Sequence, residues 1–483
     1  MIQASIRSRR AATVILLALC ASCALDAQTE KSKENLPDAP AAGTLSLANT
    51  LLIAQAAPGA VSQAAVNPAA AQAAGKPRLT LGDAEQMAIK NNPRVSVGRL
   101  LALAQHQVVR ETRSAEFPTA TGSITAVNAE LASRISAGSL TSSRLLEHAG
   151  AGAGASQLIT DFGRTRNLVA FSRLQEKAQN ANALATTEDI VIATDQAFYT
   201  ALQTQALLKV AQQNSVTRQT TDTQINQYTK NKLKSTLDLS FADVNLSQAK
   251  LLELDAENNA DATMAALDAV LGLDRGVTYG LVEDNTALSP PPTDPDQLVQ
   301  LAIKQRPDLQ SLNYNQQSEV KFSHAQRDQE LPSITALGTA GSVPIRPAQY
   351  YVSNWWGAVG VNMNIPIFNG FLYSSQAKEA SIRAQADSEQ ARDLRDRIVR
   401  DVRTAWLAAN TAYQRVAVTE ELLKEANLAL SLAQTRYKLG LSSIVELSQA
   451  EYQQTDAAIS NTDAQYQYRL ALATINYQVG ATP

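Results

Sequence analysis

Residues 88–93 read Ala-Ile-Lys-Asn-Asn-Pro, and residues 302–307 read Ala-Ile-Lys-Gln-Arg-Pro, 214 residues further along the chain. The triplet Glu-Phe-Pro at 116–118 returns as Glu-Leu-Pro at 330–332 with the same offset. Solenoid repeats have periods of about 20–50 residues, and this period is far longer. The chain therefore contains two copies of one large unit, and a single architecture has to explain both.

The composition indicates a large exported protein with an aliphatic interior. The 483 residues are 45% hydrophobic but only 5% aromatic, and the net charge of −3 does not favour a nucleic-acid partner. Residues 1–27 carry arginines, a short apolar run and small residues, which predicts a signal peptide. Residues 28–78, rich in Ala, Pro and Gln, predict a disordered tether.

Both cysteines, Cys20 and Cys23, lie in the signal segment, so the rest of the chain has no disulfide framework. Cys23 follows Ala-Ser, as a lipid-modified cysteine does, but Cys20 stands where an aliphatic residue is usual. Lipidation of Cys23 and ordinary cleavage after Ala24 or Ala27 remain alternatives.

Residues 355–367, WWGAVGVNMNIPI, alternate between apolar side chains and small or polar ones. A tilted membrane strand needs about 9–11 residues with this period of two. The segment therefore predicts a membrane strand, in which Trp355 and Trp356 are the aromatic residues. Residues 333–343 predict its hairpin partner, although their Thr, Ala and Gly give a weaker pattern.

The segments between the repeated glycines predict very long helices. No Gly or Pro occurs between Gly163 and Gly272, and only Gly440 interrupts the segment between Gly370 and Gly480. We match Gly163 with Gly370, an offset of 207 residues. A helix of about 60 residues spans roughly 90 Å.

Each long helical segment is predicted to fold back on itself at a tight tip. Gly440 ends one helix because glycine adopts the left-handed conformation without steric cost. We match the stretch from Tyr437 to Gly440 with the stretch from Tyr228 to Asn231, and asparagine is the next most tolerant residue. Asn231 and Gly440 are therefore the predicted turn residues.

Each copy thus reads as short helices, a strand hairpin, a long helix, a tip and a second long helix. In copy one the strands are assigned to 119–131 and 146–160, mainly from the repeat. The predicted fold is mainly α with a membrane β portion. Its first repeat covers 79–276, its connector 277–293 and its second repeat 294–483.

The four predicted strands cannot enclose a usable interior, and open sheet edges are not tolerated in lipid, so several chains must share one barrel.

Over about residues 79–480, the chain resembles the TolC-type outer-membrane efflux proteins. The matching motifs are LGDA at 81–84, the 88–93 segment, IPIFNG at 365–370, RYKLG at 436–440 and IVEL at 444–447. The resemblance implies a homotrimer with a twelve-stranded barrel in outer-membrane lipid and a helical barrel in the periplasm. It also implies a passive exit duct that meets a periplasmic adaptor and an inner-membrane transporter, with no cofactor.

The resemblance further implies that residues near the copy-two tip close the periplasmic aperture. Tyr437 matches the family's tyrosine there, and Asp238 and Glu446 match acidic positions. Ser442 replaces the gating arginine, and Gln449 replaces a further aspartate. These two differences predict that the aperture closes less firmly, with like charges crowded around it.

Two interpretations of the aperture candidates remain open. Asp238 and Glu446 each occupy the third position of a capping box, so they either satisfy backbone donors alone or form an acidic ring in the lumen. Tyr437 is either a packing residue of the hairpin or part of the gate.

An enzyme is disfavoured because His106, His148 and His324 share no metal-ligand spacing and no phosphate-binding loop is present. The remaining alternative to a channel is a periplasmic coiled-coil adaptor or scaffold. The alternating 355–367 segment argues against it, because a soluble scaffold has no use for a lipid-facing strand. The transported substrate is not encoded in any motif that we identify.

Overall fold

A computed structural model describes residues 77–128, 134–135, 143–144, 148–273, 279–283, 288–345 and 355–481. The predicted signal peptide (1–27), Cys23 and nearly all of the predicted tether (28–78) lie outside the described residues. The last residue of the tether assignment, Arg78, pairs with Gly280 in a short parallel ladder.

The described elements follow the order that the repeat predicts. Copy one contains β1 (Arg78–Leu79), α1 (Leu81–Asn91), α2 (Pro93–Ser114), β2 (Thr119–Val127), β3 (Arg134–Ile135), β4 (Ser143–Arg144), β5 (His148–Thr160), α3 (Arg164–Lys230) and α4 (Thr236–Leu271). The connector contains β6 (Gly280–Leu281). Copy two contains α5 (Pro295–Gln305), α6 (Pro307–Arg327), a 3-10 turn (Asp328–Glu330), β7 (Ser333–Ile345), β8 (Trp355–Asn364), α7 (Leu372–Lys438) and α8 (Ile444–Val479).

The long helices have identical lengths in the two copies. Helices α3 and α7 are both 67 residues long, about 100 Å each, and α4 and α8 are both 36 residues long. All four boundaries therefore obey an offset of 208. The sequence match of Gly163 with Gly370 is wrong by one residue, because the residue that precedes the helix is Gly163 in copy one and Phe371 in copy two. The mainly helical two-copy fold is confirmed.

Four strands form one antiparallel sheet in the order β2-β5-β7-β8. The centre of the sheet joins the two copies, since β5 pairs with β7 over most of its length. Strand β8 ends at Asn364 rather than at Ile367 as predicted. Pro366 has no N–H group to contribute to a ladder, which explains the earlier end. In this sheet β2 and β8 are the edge strands.

The helices continue the order of the strands. Next to the sheet, α6 lies between α3 and α7, while α2 packs on the other side of α3. Towards the tips, α3 contacts α4 and α8, and α8 contacts α7. Many of the buried positions along the long helices are alanines, which let the helix axes approach closely. The described layer is thus four helices wide at both levels, with α2 or α4 at one edge and α7 at the other.

The short helices and the connector pack at the middle of the long helices. Helix α1 buries Ala84 and Ala88 against α3 and α4, and α5 packs on α7 and α8. Aromatic side chains of the long helices bind the connector: Trp406 Nε1 donates to Pro292 O at 2.6 Å, and the Tyr466 hydroxyl donates to Glu283 at 2.9 Å. Among the described helices, none combines the length and the apolar character needed to cross a membrane.

Candidate functional site

The two helical tips have the same backbone turn but different residues in the strained position. In copy two Gly440 has φ 72°, and Leu441 N donates to Arg436 O at 2.9 Å. In copy one Asn231 has φ −86°, and the left-handed residue is Lys232 at φ 58°. The prediction of Asn231 as the left-handed residue is therefore wrong by one position. Tyr437 is equivalent to Thr229 rather than to Tyr228, because the tips also obey the offset of 208.

The acidic residue after each tip has a different partner. Asp238 completes a capping box: its Oδ2 accepts from Ser235 N at 3.3 Å, and Ser235 Oγ accepts from Leu237 N. In copy two Ser443 Oγ accepts from Glu446 N, but the Glu446 carboxylate lies 3.2 Å from Nε of Arg436, at the end of the preceding helix. Capping therefore uses the side chain of Asp238, whereas that of Glu446 bridges the two helices of its own hairpin.

Tyr437 lies inside the helical bundle near the tip. Its side chain is 6% exposed and packs with Ile225 of α3 and with Ile444 and Leu447 of α8. Burial, followed by the nearby charge of Asp238, raises the pKa of Tyr437 to about 12. The Tyr437 hydroxyl has no hydrogen-bond partner among the described residues. The ring is thus a packing element that joins both hairpins, with a free hydroxyl.

The remaining aperture candidates lie on the first turns of α8 or just before it. Gln449 is exposed, one turn after the exposed Glu446, so the two side chains share a helix face. Ser442 is partly buried, and its hydroxyl has no partner among the described residues. A larger side chain at Ser442 would therefore have to point away from the bundle.

Basic residues surround the tips, which the sequence interpretation did not weigh. The Lys234 ammonium lies 4.3 Å from the centre of the Tyr437 ring, and Arg436 pairs with Glu446. Lys230, Lys232 and Lys438 are also exposed there. Within the described chain, Arg436 supplies a positive charge to Glu446, which reduces the predicted crowding of like charges at this tip.

A buried ion pair near the tips was missed by the sequence interpretation. Arg218 of α3 donates to Glu451 of α8, and the two side chains are only 8% and 3% exposed. Thr221 also donates to Glu451, at 3.1 Å. Burial lowers the pKa of Arg218 and raises that of Glu451, and each charge opposes the effect on the other. In the sequence, this pair is marked only by charged residues at inward-facing helical positions. Identifying those positions requires the three-dimensional register of the helices.

Asn245 and Ser448 extend this polar contact towards the tip. Asn245 Nδ2 of α4 donates to Ser448 Oγ of α8 at 2.8 Å. Ser448 is adjacent to the exposed Gln449, so its contact with Asn245 holds this part of α8 against copy one. The site is therefore a pair of tips that are locked together by packing and buried polar contacts. It presents exposed charges at the free end.

A family model described as "Outer membrane efflux protein" matches residues 298–481, which is most of copy two. The "Outer membrane protein TolC" of Escherichia coli (strain K12) is 24% identical over 349 residues, 67% of this chain and 69% of that protein. The protein of the same name from Salmonella enteritidis is 26% identical over 134 residues, 28% of this chain and 27% of that protein. The family match thus lies within copy two, and the similarity to the TolC proteins extends over about two thirds of the chain.

Solved channels extend the match to the whole described fold. The outer membrane protein VceC of Vibrio cholerae superposes with a TM-score of 0.71 at 16% identity, covering 83% of this chain and 96% of that one. At this identity the likeness concerns the fold, which includes both copies. These matches support an outer-membrane exit duct, and the helical tips lie at the end of the fold away from the sheet.

Proposed function

We propose that three copies of this outer membrane efflux protein assemble into one passive duct. A periplasmic adaptor would link the duct to an inner-membrane transporter, which would supply the energy. The unpaired edges of the four-stranded sheet carry this proposal most directly. The two faces of the sheet, the edges of the helical layer and the free ends of the helices support the proposal as well.

The edge strands of the sheet require pairing with strands of other copies. Strands β2 and β8 each pair on one side only within the described sheet. An unpaired backbone group costs several kcal/mol in hydrocarbon, so such edges do not persist in lipid. Pairing β2 of one copy with β8 of the next closes a barrel of about twelve strands, wide enough for a water-filled lumen.

The two faces of the sheet fit lipid and water. Val359, Val361 and Met363 point to one side of β8, while Ala358 and Asn362 point to the other. The register continues this division across the sheet, with hydroxyl groups of β2 and β7 on the second side. The apolar face therefore becomes the lipid face of the barrel, and the hydroxyl-bearing face becomes its inner wall.

The helical edges carry exposed apolar side chains. Those of α4 are Leu237, Phe241, Val244, Leu251 and Leu254, and those of α7 include Leu407, Val418, Leu422, Leu428 and Leu432. These helices lie at opposite edges of the four-helix layer. Contact between α4 of one copy and α7 of the next is a head-to-tail interface, which forms a ring when the rotation between copies closes. Sheet and helices thus favour the same order of assembly.

The free end of the helices supports an adaptor contact. Leu233 and Leu441 are exposed at equivalent positions of the two tips, beside exposed basic residues. Exposed apolar groups with a charged rim are typical of a protein-binding surface. The chain has no phosphate-binding loop, so we assign the energy source to the transporter.

Two measurements test the proposed duct. The purified protein in planar bilayers should give discrete current steps, and a photo-reactive residue at Leu441 in cells should capture an adaptor identified by mass spectrometry. The same residue at Leu184, which is exposed on α3 far from the tip, should not capture it. Absence of current steps would overturn the duct, and capture from Leu184 but not Leu441 would overturn the adaptor site.

A further inference from the structure

The hydroxyl-bearing face of the sheet holds one large aromatic side chain. Across the four strands, Trp356 of β8 lies opposite Gly341 of β7, Gly341 opposite Gly152 of β5, and Gly152 opposite Ser123 of β2. These four residues form one row on a single face. Neighbouring Trp355 points to the apolar face, because successive strand residues alternate.

The indole ring of Trp356 lies over the glycines of this row. A Cβ atom added to Gly341 would stand 2.8 Å from Cζ2 of Trp356, and one added to Gly152 would stand 3.5 Å from the same atom. The ring can therefore cover β7 only because Gly341 lacks a side chain, and at Gly152 it comes within van der Waals contact of β5. Trp356 is still 44% exposed, so the surface of the ring that faces away from the sheet is open to solvent.

A row of hydroxyl groups runs beside the ring along β2. Thr121, Ser123 and Thr125 occupy alternate positions, so they share the face of Trp356 and stand about 6.8 Å apart. Together with Trp356 and Thr339 they line a groove of about 410 Å³. That volume lies within the range of about 300–1,000 Å³ usual for small-molecule sites.

The groove offers stacking and neutral hydrogen bonds but no charge. The described strands of this sheet, β2, β5, β7 and β8, contain no Asp, Glu, Lys or Arg. A charged solute would find no counter-charge there. A wholly apolar ring would cover the hydroxyl groups without satisfying them, which costs free energy. A pyranose ring fits both demands, since its C–H face stacks on an aromatic ring and its rim carries hydroxyl groups.

We infer that the inner wall of the duct carries a binding site for neutral saccharides, in which Trp356 is the stacking platform. Thr121, Ser123 and Thr125 supply the hydrogen bonds. This inference rests on the proposed trimeric duct, because the hydroxyl-bearing face becomes the lumen only when the barrel closes. Each duct then holds three such sites, with Trp356 near the end of β8 that lies away from the helices and Ser123 at the middle of β2.

Block of the ionic current by a saccharide tests the site. Maltohexaose added to the full-length protein in planar bilayers should interrupt the current at millimolar concentrations. Trp356→Ala should raise the half-blocking concentration about fivefold or more, and Trp356→Phe should raise it less, because a smaller aromatic face remains. Trp355→Ala is the matched control on the lipid face and should leave the half-blocking concentration unchanged. Equal block in Trp356→Ala and the wild type would overturn the site.

A binding measurement separates this site from the duct itself. The chain has three tryptophans, so Trp355→Phe combined with Trp406→Phe leaves Trp356 as the sole indole. Maltohexaose should change the fluorescence of this protein in detergent, and Thr121→Val with Ser123→Ala should weaken the change severalfold. Current steps without block or fluorescence change would contradict the saccharide site and leave the duct standing. A fluorescence change without current steps would contradict the duct instead.

Discussion

The two helical tips form the same backbone turn with different residues. Both turns have the same hydrogen bonds and join helices of 67 and 36 residues, yet the left-handed residue is Lys232 in copy one and Gly440 in copy two. The acid that follows caps its helix in copy one, as Asp238, and pairs with Arg436 in copy two, as Glu446. The backbone repeat is therefore preserved, while the acidic side chain of the copy-two tip is released from capping.

The difference indicates which tip can change its contacts. Asp238 satisfies a backbone donor of its own helix, so moving its side chain would leave that donor exposed. Glu446 leaves no such donor behind, because its carboxylate pairs with Arg436 and not with a backbone N–H group. The carboxylate of the copy-two tip can therefore exchange Arg436 for another cation at low cost.

The largest expected effect comes from breaking the buried link between the copies. Glu451→Ala leaves Arg218 charged and unpaired in a buried position, which costs about 3–5 kcal/mol. Thermal unfolding of the protein in detergent should show a marked loss of stability. The double change Arg218→Met with Glu451→Leu should recover most of that loss. If Glu451→Ala unfolded at the same temperature as the wild type, the pair would be solvated and would not hold the two copies together.

A second contrast between the copies predicts a pH effect. Asp195 of α3 is buried, and its burial and the charge of Glu85 raise its pKa to about 8. The equivalent residue of copy two is Arg403, which pairs with Asp296 at 2.9 Å. Folded Asp195 stays protonated up to about pH 8, whereas the unfolded chain releases this proton near pH 4. The folded state thus binds more protons between these values, and its free energy of unfolding falls as the pH rises.

Asp195→Asn should remove that part of the pH dependence. We expect the variant to gain thermal stability over the wild type at pH 8.5, by about 1–3 kcal/mol, and little at pH 4.5. Asp261→Asn changes an exposed carboxylate of copy one and serves as the control. An equal gain at both pH values would mean that burial, and not proton release, destabilises Asp195.

Exchanging the turn residues tests the backbone comparison. Lys232→Gly should stabilise the protein by about 1 kcal/mol, because glycine adopts φ 58° without steric cost. Gly440→Lys should have the opposite effect with similar size, since open space surrounds the position and only the backbone is strained. Melting temperatures of both variants check this. Shifts of the same sign would show that the two turns are not equivalent.

The smallest effect on stability is expected from the two acids after the tips. Asp238→Ala removes a capping side chain and should cost about 1 kcal/mol. Glu446→Ala breaks an exposed ion pair and should cost less than about 0.5 kcal/mol. Glu446→Gln should still weaken the cation selectivity of the channel in planar bilayers, and Ser442→Arg should lower its conductance. Unchanged selectivity with a locally unfolded hairpin would make Glu446 a structural residue.

The sequence predicted the features that depend on residue type and period. The segments free of glycine and proline gave the long helices, and the alternation after Trp355 gave β8. The left-handed residue of copy one escaped prediction because nothing in its type marks Lys232 for that conformation. Strand β5 was weakly marked because its Gly-Ala alternation gives little contrast between faces, and only its register with β7 assigns them.

The candidate site was predictable in location but not in its contacts. Motif positions placed Tyr437 and Glu446 near a tip, and the structure brings both there. Contacts around the site join segments that are distant in sequence, as with Lys234 of the copy-one tip beside Tyr437 and Arg218 beside Glu451. Such contacts depend on how the two hairpins are rotated against each other, and periodicity alone does not define that rotation.

The closure of the sheet between copies is tested most directly by disulfide formation. Both native cysteines, Cys20 and Cys23, lie in the predicted signal peptide, so cysteines introduced at Ser123 of β2 and Gly360 of β8 face no competing thiol in the body of the protein. Within one sheet these strands are separated by two others, about 14 Å at the usual strand spacing. That exceeds the reach of a disulfide, so a bond can form only between copies.

Pairs that combine positions 121, 123 and 125 with positions 358, 360 and 362 cover the unknown register between copies. Oxidation in outer membranes should convert at least one double variant into a covalent trimer on a non-reducing gel, while each single variant yields none. Recovery of monomers alone from every pair, with the protein folded and in the membrane, would contradict a barrel shared by three chains.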